Sequence, residues 1–229
     1  MGESEHRIVI AIDGPAGAGK STVARAVAAR LGALYIDSGA MYRVVALAAL
    51  RRGLEPADAA RLGALAASIR IDLENGRAFL DREDVSEAIR SPEATDLASR
   101  VSANPAVRRA MVARQREMAA RGSAVMEGRD IGTVVFPDAE LKIYLDADPA
   151  ARAARRAREL AEKGSPPRAG EVERQIAERD RRDRTRADSP LRPASDAVRI
   201  DTTDRSVEHI VETIIELARR CQSRKDSGG

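Results

Sequence analysis

The sequence predicts an α/β protein built on a five-stranded parallel sheet flanked by helices, with one small antiparallel insertion. Three observations carry that expectation. Short apolar runs at Arg7–Asp13, Ala33–Asp37, Ser123–Glu127, Leu141–Asp146 and Ala197–Asp201 are separated by stretches with helical spacing, as expected of a sheet covered on both faces. A glycine-rich stretch, Gly14-Pro15-Ala16-Gly17-Ala18-Gly19-Lys20-Ser21-Thr22, joins the first run to the first helical stretch. The segment Ile69–Asp81 alone breaks the alternation, with two short strands meeting at Asn75-Gly76, the pair preferred in a type I′ hairpin turn.

In chain order, Ile8-Val9-Ile10-Ala11-Ile12 is a buried strand, and the loop after it has the pattern G-x-x-x-x-G-K-[ST]. Between a strand and a helix this pattern is a phosphate-binding loop, the mark of the P-loop NTPase fold. Glycines let backbone N–H groups turn inward around a polyphosphate, and the following helix adds the positive end of its dipole. Lys20 reaches the β- and γ-phosphates, and the Ser21 hydroxyl suits Mg²⁺. Helices are expected at Ser21–Leu31, Ala40–Arg52, Ala57–Ser68, Glu93–Ser102, Pro105–Arg121, Pro149–Lys163, Gly170–Arg186 and Ser206–Arg220. Asn104-Pro105 and Asp148-Pro149 each place a capping side chain before a proline at the first helical position. Asp84-Val85 is a third short strand beside the hairpin, and residues after Gln222 are expected to lack regular structure. Asp13, Asp37, Glu127, Asp146 and Asp201 end strands, which puts carboxylates at the edge where open α/β sheets bind ligands. The expected division is a core of 1–37, 105–151 and 189–229, an insertion of 38–104 that holds the hairpin, and an arginine-rich lid of 152–188 hinged at Gly164-Ser165-Pro166-Pro167.

Composition narrows the class. The 229 residues include no Trp, two Phe and three Tyr, so the core is aliphatic. Lys plus Arg total 39 against 36 Asp plus Glu, a net charge of +3. That near-balance, with few aromatics for base stacking, argues against a nucleic-acid binder. The single Cys221 rules out a disulfide within the chain and is compatible with a reducing cytoplasm. The N-terminus lacks the apolar stretch of a signal peptide, and no apolar run approaches the roughly 18–20 residues of a membrane span. A cytoplasmic monomer with neither membrane nor nucleic-acid partners is expected.

A phosphate loop alone does not separate kinases, GTPases and motors. No Asn-Lys-x-Asp base-reading motif follows a later strand, which argues against a GTPase. Instead, a second set of phosphate-capable residues lies downstream: Asp37-Ser38-Gly39-Ala40-Met41-Tyr42-Arg43, Glu127-Gly128-Arg129-Asp130-Ile131-Gly132-Thr133, and Glu178-Arg179 with Asp183 and Arg186. Two anion sites on one sheet point to a donor and an acceptor that both carry phosphate. In order and spacing, these motifs with Ile12–Lys20 and Ala194–Thr203 give a chain that resembles bacterial cytidylate kinases from about Ile8 to Arg219.

The resemblance implies ATP and Mg²⁺ as donor and cofactor, with CMP and dCMP as acceptors. It places Ser99, Arg108 and Asp130 at the cytosine edge, Arg179 and Asp183 at the sugar hydroxyls, and Arg43, Arg129 and Arg186 at the acceptor phosphate, with Asp37 and Ser38 beside them. On the ATP side it places the loop Gly14–Thr22; by analogy with adenylate kinases, Arg152 would lie over the adenine and Arg156 reach the phosphates. Lys20, Arg129, Arg156 and Arg186 would act on the transferring group. Members of this group more often carry Asp before Gly-Arg-Asp than the Glu127 found here, so a magnesium role for Glu127 stays open.

Plainer readings stand beside these. A helix of mixed charge such as 178–186 is ordinarily a solvated face, and Arg181, Arg182 and Arg184 are expected to be just that. Asp37 can simply cap the next helix. Arg108 and Arg109 adjoin, and only one can face a site. His209 is expected to be structural. A small-molecule kinase of shikimate or gluconate type on the same scaffold is the main alternative; it would need no cytosine reader.

Overall fold

The computed structural model describes residues 7–74, 76–162, 167–168 and 170–226. The chain forms two compact units. The first comprises residues up to Tyr35, Gly122–Thr185 and Ser189 onward; the second comprises Ile36–Arg121 and Arg186–Asp188.

The first unit contains β1 (Val9–Asp13), α1 (Lys20–Arg30) and the start of β2 (Leu34–Asp37). The second unit carries α2 (Ser38–Arg51), α3 (Ala59–Ser68), β3 (Ile71–Glu74), β4 (Arg77–Leu80), β5 (Glu83–Asp84), α4 (Pro92–Val101) and α5 (Pro105–Ala119). The chain then returns to the first unit with β6 (Ala124–Gly128), a π-helical turn Ile131–Val135, β7 (Leu141–Asp146), α6 (Pro149–Glu162), α7 (Glu171–Thr185), β8 (Val198–Asp201) and α8 (Val207–Asp226).

The main sheet has the order β2-β6-β1-β7-β8. Strand β1 lies parallel to β6, with Ile12 opposite Glu127, and parallel to β7, with Ile12 opposite Ile143; β7 lies parallel to β8. The expected parallel α/β sheet is therefore present. Central β1 is buried throughout, whereas Leu34 of β2 and Val198 of β8 are each more than a third exposed. These two runs are edge strands, so only part of each is covered. The core packs Ile10, Ile12, Ile143, Leu145 and Ile200 of the sheet with Val23, Ala24 and Val27 of α1 and Ile214 and Ile215 of α8. Small aliphatic side chains on both layers replace the missing aromatics. The last helix continues through Asp226, past the expected end at Arg220, and Cys221 still packs against the core.

In the second unit, β3 and β4 pair with Glu74 opposite Arg77. Gly76 has φ +77, while Asn75 lies outside the described residues. The third strand occurs one residue earlier than expected, with Leu80 paired to Glu83. Its tight turn is made by Asp81 and Arg82, both with positive φ, a conformation the sequence pattern did not announce because neither residue is glycine or asparagine. Asn104 caps α5 by accepting from Ala106 and Val107 N–H, and its amide donates to Ala59 O at 2.8 Å. A Cβ on Gly63 would stand 2.6 Å from Ala106 Cβ, so α3 and α5 pack at close range. Helix α5, expected with the core, thus builds the second unit.

Candidate active site

Within the first unit the loop after β1 is shaped by close approaches. A Cβ on Gly14, at φ +151, would lie 2.0 Å from Leu145 O, and one on Gly17 would lie 2.9 Å from Arg152 Cβ. Only glycine lets the chain pass this near β7 and α6. Helix α1 begins after Gly19 with no side-chain cap and no acidic residue in its first turn. Its first N–H groups are therefore left for an anion. Ser21, in that turn, is exposed.

Lys20 is 5% exposed and folds back to donate to Pro15 O at 2.7 Å. Burial pushes its pKa down, and Arg129 and Arg179 push the same way; Glu127 and Asp13 only partly oppose them, leaving it at about 7. A polyphosphate beside Lys20 would restore its charge. We therefore expect ATP binding at pH 8 to take up close to one proton, since the nucleotide's own phosphates are already ionised there. Calorimetry in buffers of different ionisation enthalpy measures this directly. Lys20→Met should abolish the uptake, and its persistence in that variant would place the titrating group elsewhere.

Asp13 is equally enclosed. Its carboxylate accepts the Ile131 and Gly132 N–H groups at 2.8 and 2.7 Å. Burial raises its pKa to about 6; those two hydrogen bonds and Lys20 act against the rise, and Asp130 adds to it. Asp13 thereby fixes the turn that follows Arg129 and Asp130. It stood among the strand-ending carboxylates, but nothing in sequence showed which backbone groups it would hold.

Glu127 is buried and accepts from Tyr35 O–H at 3.0 Å. Arg129 donates Nε to Asp183 Oδ2 at 2.9 Å. Burial opposes its charge, but the pull of Asp183, then Glu127 and Asp180, leaves the guanidinium pKa raised. Asp130 is also buried. Arg179 is half-buried, and the field it exerts on Lys20 places it near the loop. Arg181 and Arg184 are exposed, as expected of a solvated face, whereas Arg182 is only partly so.

The two α6 arginines have different surroundings. Arg156 is substantially exposed and pairs with Glu159 at 2.8 Å. Arg152, expected over the donor's base, is 5% exposed and committed inward. It donates to Ala147 O at 3.1 Å, Ala16 O at 2.9 Å and Asp180 Oδ2 at 2.5 Å. The packing of α6 against Gly17 draws the guanidinium under the loop. Asp180, one charge among many on a mixed-charge helix, is the other half of this arrangement. The Gly164–Pro166 part of the expected hinge lies outside the described residues.

The second unit holds the remaining candidates. Asp37 caps α2 through Ala40 N–H at 2.7 Å and pairs with Arg43 at 3.1 Å, so the capping role is real and the carboxylate also orients an arginine. Ser38 is buried. Arg43 Nε and Ser99 Oγ are buried with no hydrogen-bond partner among the described residues, the condition expected of groups that wait for a ligand. Arg108 is 2% exposed. It stacks 5.9 Å from the Tyr42 ring and donates to Ser102 O at 3.3 Å. Arg109 is exposed, so packing selects Arg108 as the inward residue. Arg186 belongs to this unit and is half-buried. His209 is exposed on α8, and no helix among the described residues is long and apolar enough to cross a membrane.

A parallel sheet whose first strand runs through a glycine-rich loop into an uncapped helix, with a buried lysine at the junction, defines a phosphate-binding-loop protein. A gluconokinase from Sinorhizobium meliloti shares the fold, with a TM-score of 0.50 and 14% identity over 97% of this chain and 98% of that one. The cytidylate kinase family model matches residues 10–220. The chain is 52% identical over 217 residues to a cytidylate kinase of Solibacter usitatus, covering 94% of each. It is 54% identical over 211 residues to one of Pelotomaculum thermopropionicum, covering 90% of this chain and 93% of that protein. It also matches a bifunctional pantoate ligase/cytidylate kinase of Synechococcus at 50% identity, spanning 42% of that longer protein. The chain belongs to the cytidylate kinase family.

Proposed function

We propose that this protein transfers the γ-phosphoryl group of ATP to CMP and dCMP, giving ADP with CDP or dCDP, and works as a cytoplasmic monomer. The observation that carries the reading is Lys20: a buried cation with a depressed pKa, folded onto its own glycine loop, within a chain of this family. Such a group has little reason to exist there without an anion to meet it.

The loop Gly14–Thr22 holds the ATP phosphates through main-chain N–H groups, and Lys20 bridges toward the transferring phosphoryl. Arg156 reaches the same phosphates, and Arg152 serves the donor side from beneath the loop. On the acceptor side Arg43, Arg129 and Arg186 grip the phosphate of CMP, with Asp37 and Ser38 beside them and Asp37 paired to Arg43. Ser99, Arg108 and Asp130 read the cytosine edge, and Arg179 and Asp183 hold the sugar. An ionised phosphate is already a nucleophile, so no strong base is required; in-line attack needs positioning and charge neutralisation in a closed cleft. Residues 38–104 act as the monophosphate-binding part, and 152–188 as the lid.

Mg²⁺ fits this donor set. The exposed Ser21 hydroxyl is a hard oxygen ligand in the first turn of α1, and among the described residues no cluster of three acidic, histidine or cysteine side chains could hold a metal alone. That suits an ion bound chiefly by nucleotide phosphates and water. When bound it neutralises charge on the β- and γ-oxygens.

A coupled ADP-release assay over AMP, GMP, UMP, CMP and dCMP tests the proposal. CMP and dCMP should be phosphorylated well ahead of AMP and GMP. Asp130→Ala should weaken CMP binding at least about tenfold more than ATP binding, in line with loss of a charge-assisted base contact. Preference for a sugar or acid acceptor would overturn the assignment.

A further inference from the structure

Ala16 has an unusual set of partners for a residue in an irregular loop. Its N–H donates to Asp180 Oδ1 at 3.3 Å, and its carbonyl accepts from Arg152 Nη1 at 2.9 Å. The two side chains close the ring, Arg152 Nη1 donating to Asp180 Oδ2 at 2.5 Å. Both are nearly inaccessible, at 5% and 6% exposed, so these are low-dielectric contacts that a shift of the loop would leave unsatisfied. The next residue, Gly17, would bring a Cβ within 3.0 Å of the Arg152 carbonyl oxygen, which adds a steric stop on the same side.

We infer that Asp180 is a positioning residue of the donor loop: with Arg152 it grips Ala16 by both main-chain polar groups and sets the loop in the shape that receives the ATP phosphates. Position in the fold strengthens this. Asp180 and Asp183 are three apart on α7, hence on one face. Asp183 holds Arg129 while Asp180 holds the loop. One helix therefore carries two buried carboxylates with separate duties, one toward the donor side and one toward an arginine assigned to the acceptor. Neither the glycine-rich pattern nor the arginine content singles out Asp180, because it looks like any other charge on a mixed-charge helix.

This inference rests on ATP occupying the loop, which direct binding tests separately from catalysis. ATP and CMP affinities of the full chain are measured by calorimetry for wild type and Asp180→Ala, alongside both KM values and kcat. The expected result is ATP binding weakened at least about tenfold, as for loss of a buried charge-assisted contact, with the CMP affinity within about twofold and most of kcat recovered at saturating ATP. General loosening of α7 would weaken both nucleotides alike, and that outcome overturns the inference, as does unchanged ATP affinity. Asp180→Asn, which keeps the volume and an acceptor for Ala16 N–H but loses the ion pair, carries the same test should the alanine variant not fold. It should fall between wild type and alanine for ATP. Wild-type protein that binds no ATP would instead overturn the proposed function.

Discussion

Lys20→Ala is expected to lower kcat by about 10²–10³-fold, the range for removing one preorganised group that meets developing charge, while the fold survives. The survival follows from the same burial that makes the residue useful. Burial and the nearby Arg129 and Arg179 guanidinium groups all disfavour a charge on Lys20, so its removal relieves an electrostatic cost. It forfeits one hydrogen bond to Pro15 O. Steady-state kinetics at saturating ATP and CMP, with circular dichroism and thermal unfolding on the same sample, separate the two effects. Turnover within about threefold of wild type would remove Lys20 from the reaction.

Gly14→Ala should produce the opposite profile, a failure of stability first. The added methyl would sit 2.0 Å from Leu145 O at a backbone φ of +151. That oxygen belongs to β7, whose register against β1 pairs Ile12 with Ile143 and Asp13 with Tyr144. The clash can be relieved only by moving main chain in the centre of the sheet. We expect a loss of about 3–5 kcal/mol, typical of strain at a special backbone position within a packed core, and a Tm lower by about 10 °C for a chain of this size. Gly19→Ala is the internal control: its φ is +83, but a Cβ there meets nothing within 4 Å. It should lose only about 1–2 kcal/mol. A Gly14→Ala drop no larger than the Gly19→Ala drop would show that the loop and β7 can separate cheaply.

Much of the architecture is written in short-range signals. The apolar run Ile8–Ile12, the glycine pattern and the periodic Val23–Leu31 read directly as strand, loop and helix, because each depends on neighbours within a few residues. Asn104-Pro105 and Asp148-Pro149 worked as helix starts for the same reason, Asp148 accepting from Ala150 N–H at 2.8 Å. The edge position of β2 and β8 was not legible. Exposure along a strand depends on what lies beside it, and Leu34 and Val198 look as apolar as residues of β1. The Asp81-Arg82 turn was not legible because the neighbouring pairings Leu80–Glu83 and Phe79–Asp84 impose positive φ on Arg82, a residue that rarely adopts it.

What the sequence determined by itself is the phosphate-binding loop, the parallel α/β layering and the list of ionisable groups available for two anion sites, since period, turn chemistry and residue type are local properties. Only the tertiary structure decided what those groups do with one another. It turned Arg108 inward and Arg109 outward, gave Asp13 the N–H groups of Ile131 and Gly132, and took Arg152 beneath the loop to meet Asp180. The reason is the cost of burying charge: a guanidinium or carboxylate withdrawn from water must find its counterpart wherever packing brings one, and for Ala16 and Asp180 that partner lies 164 residues away in the chain.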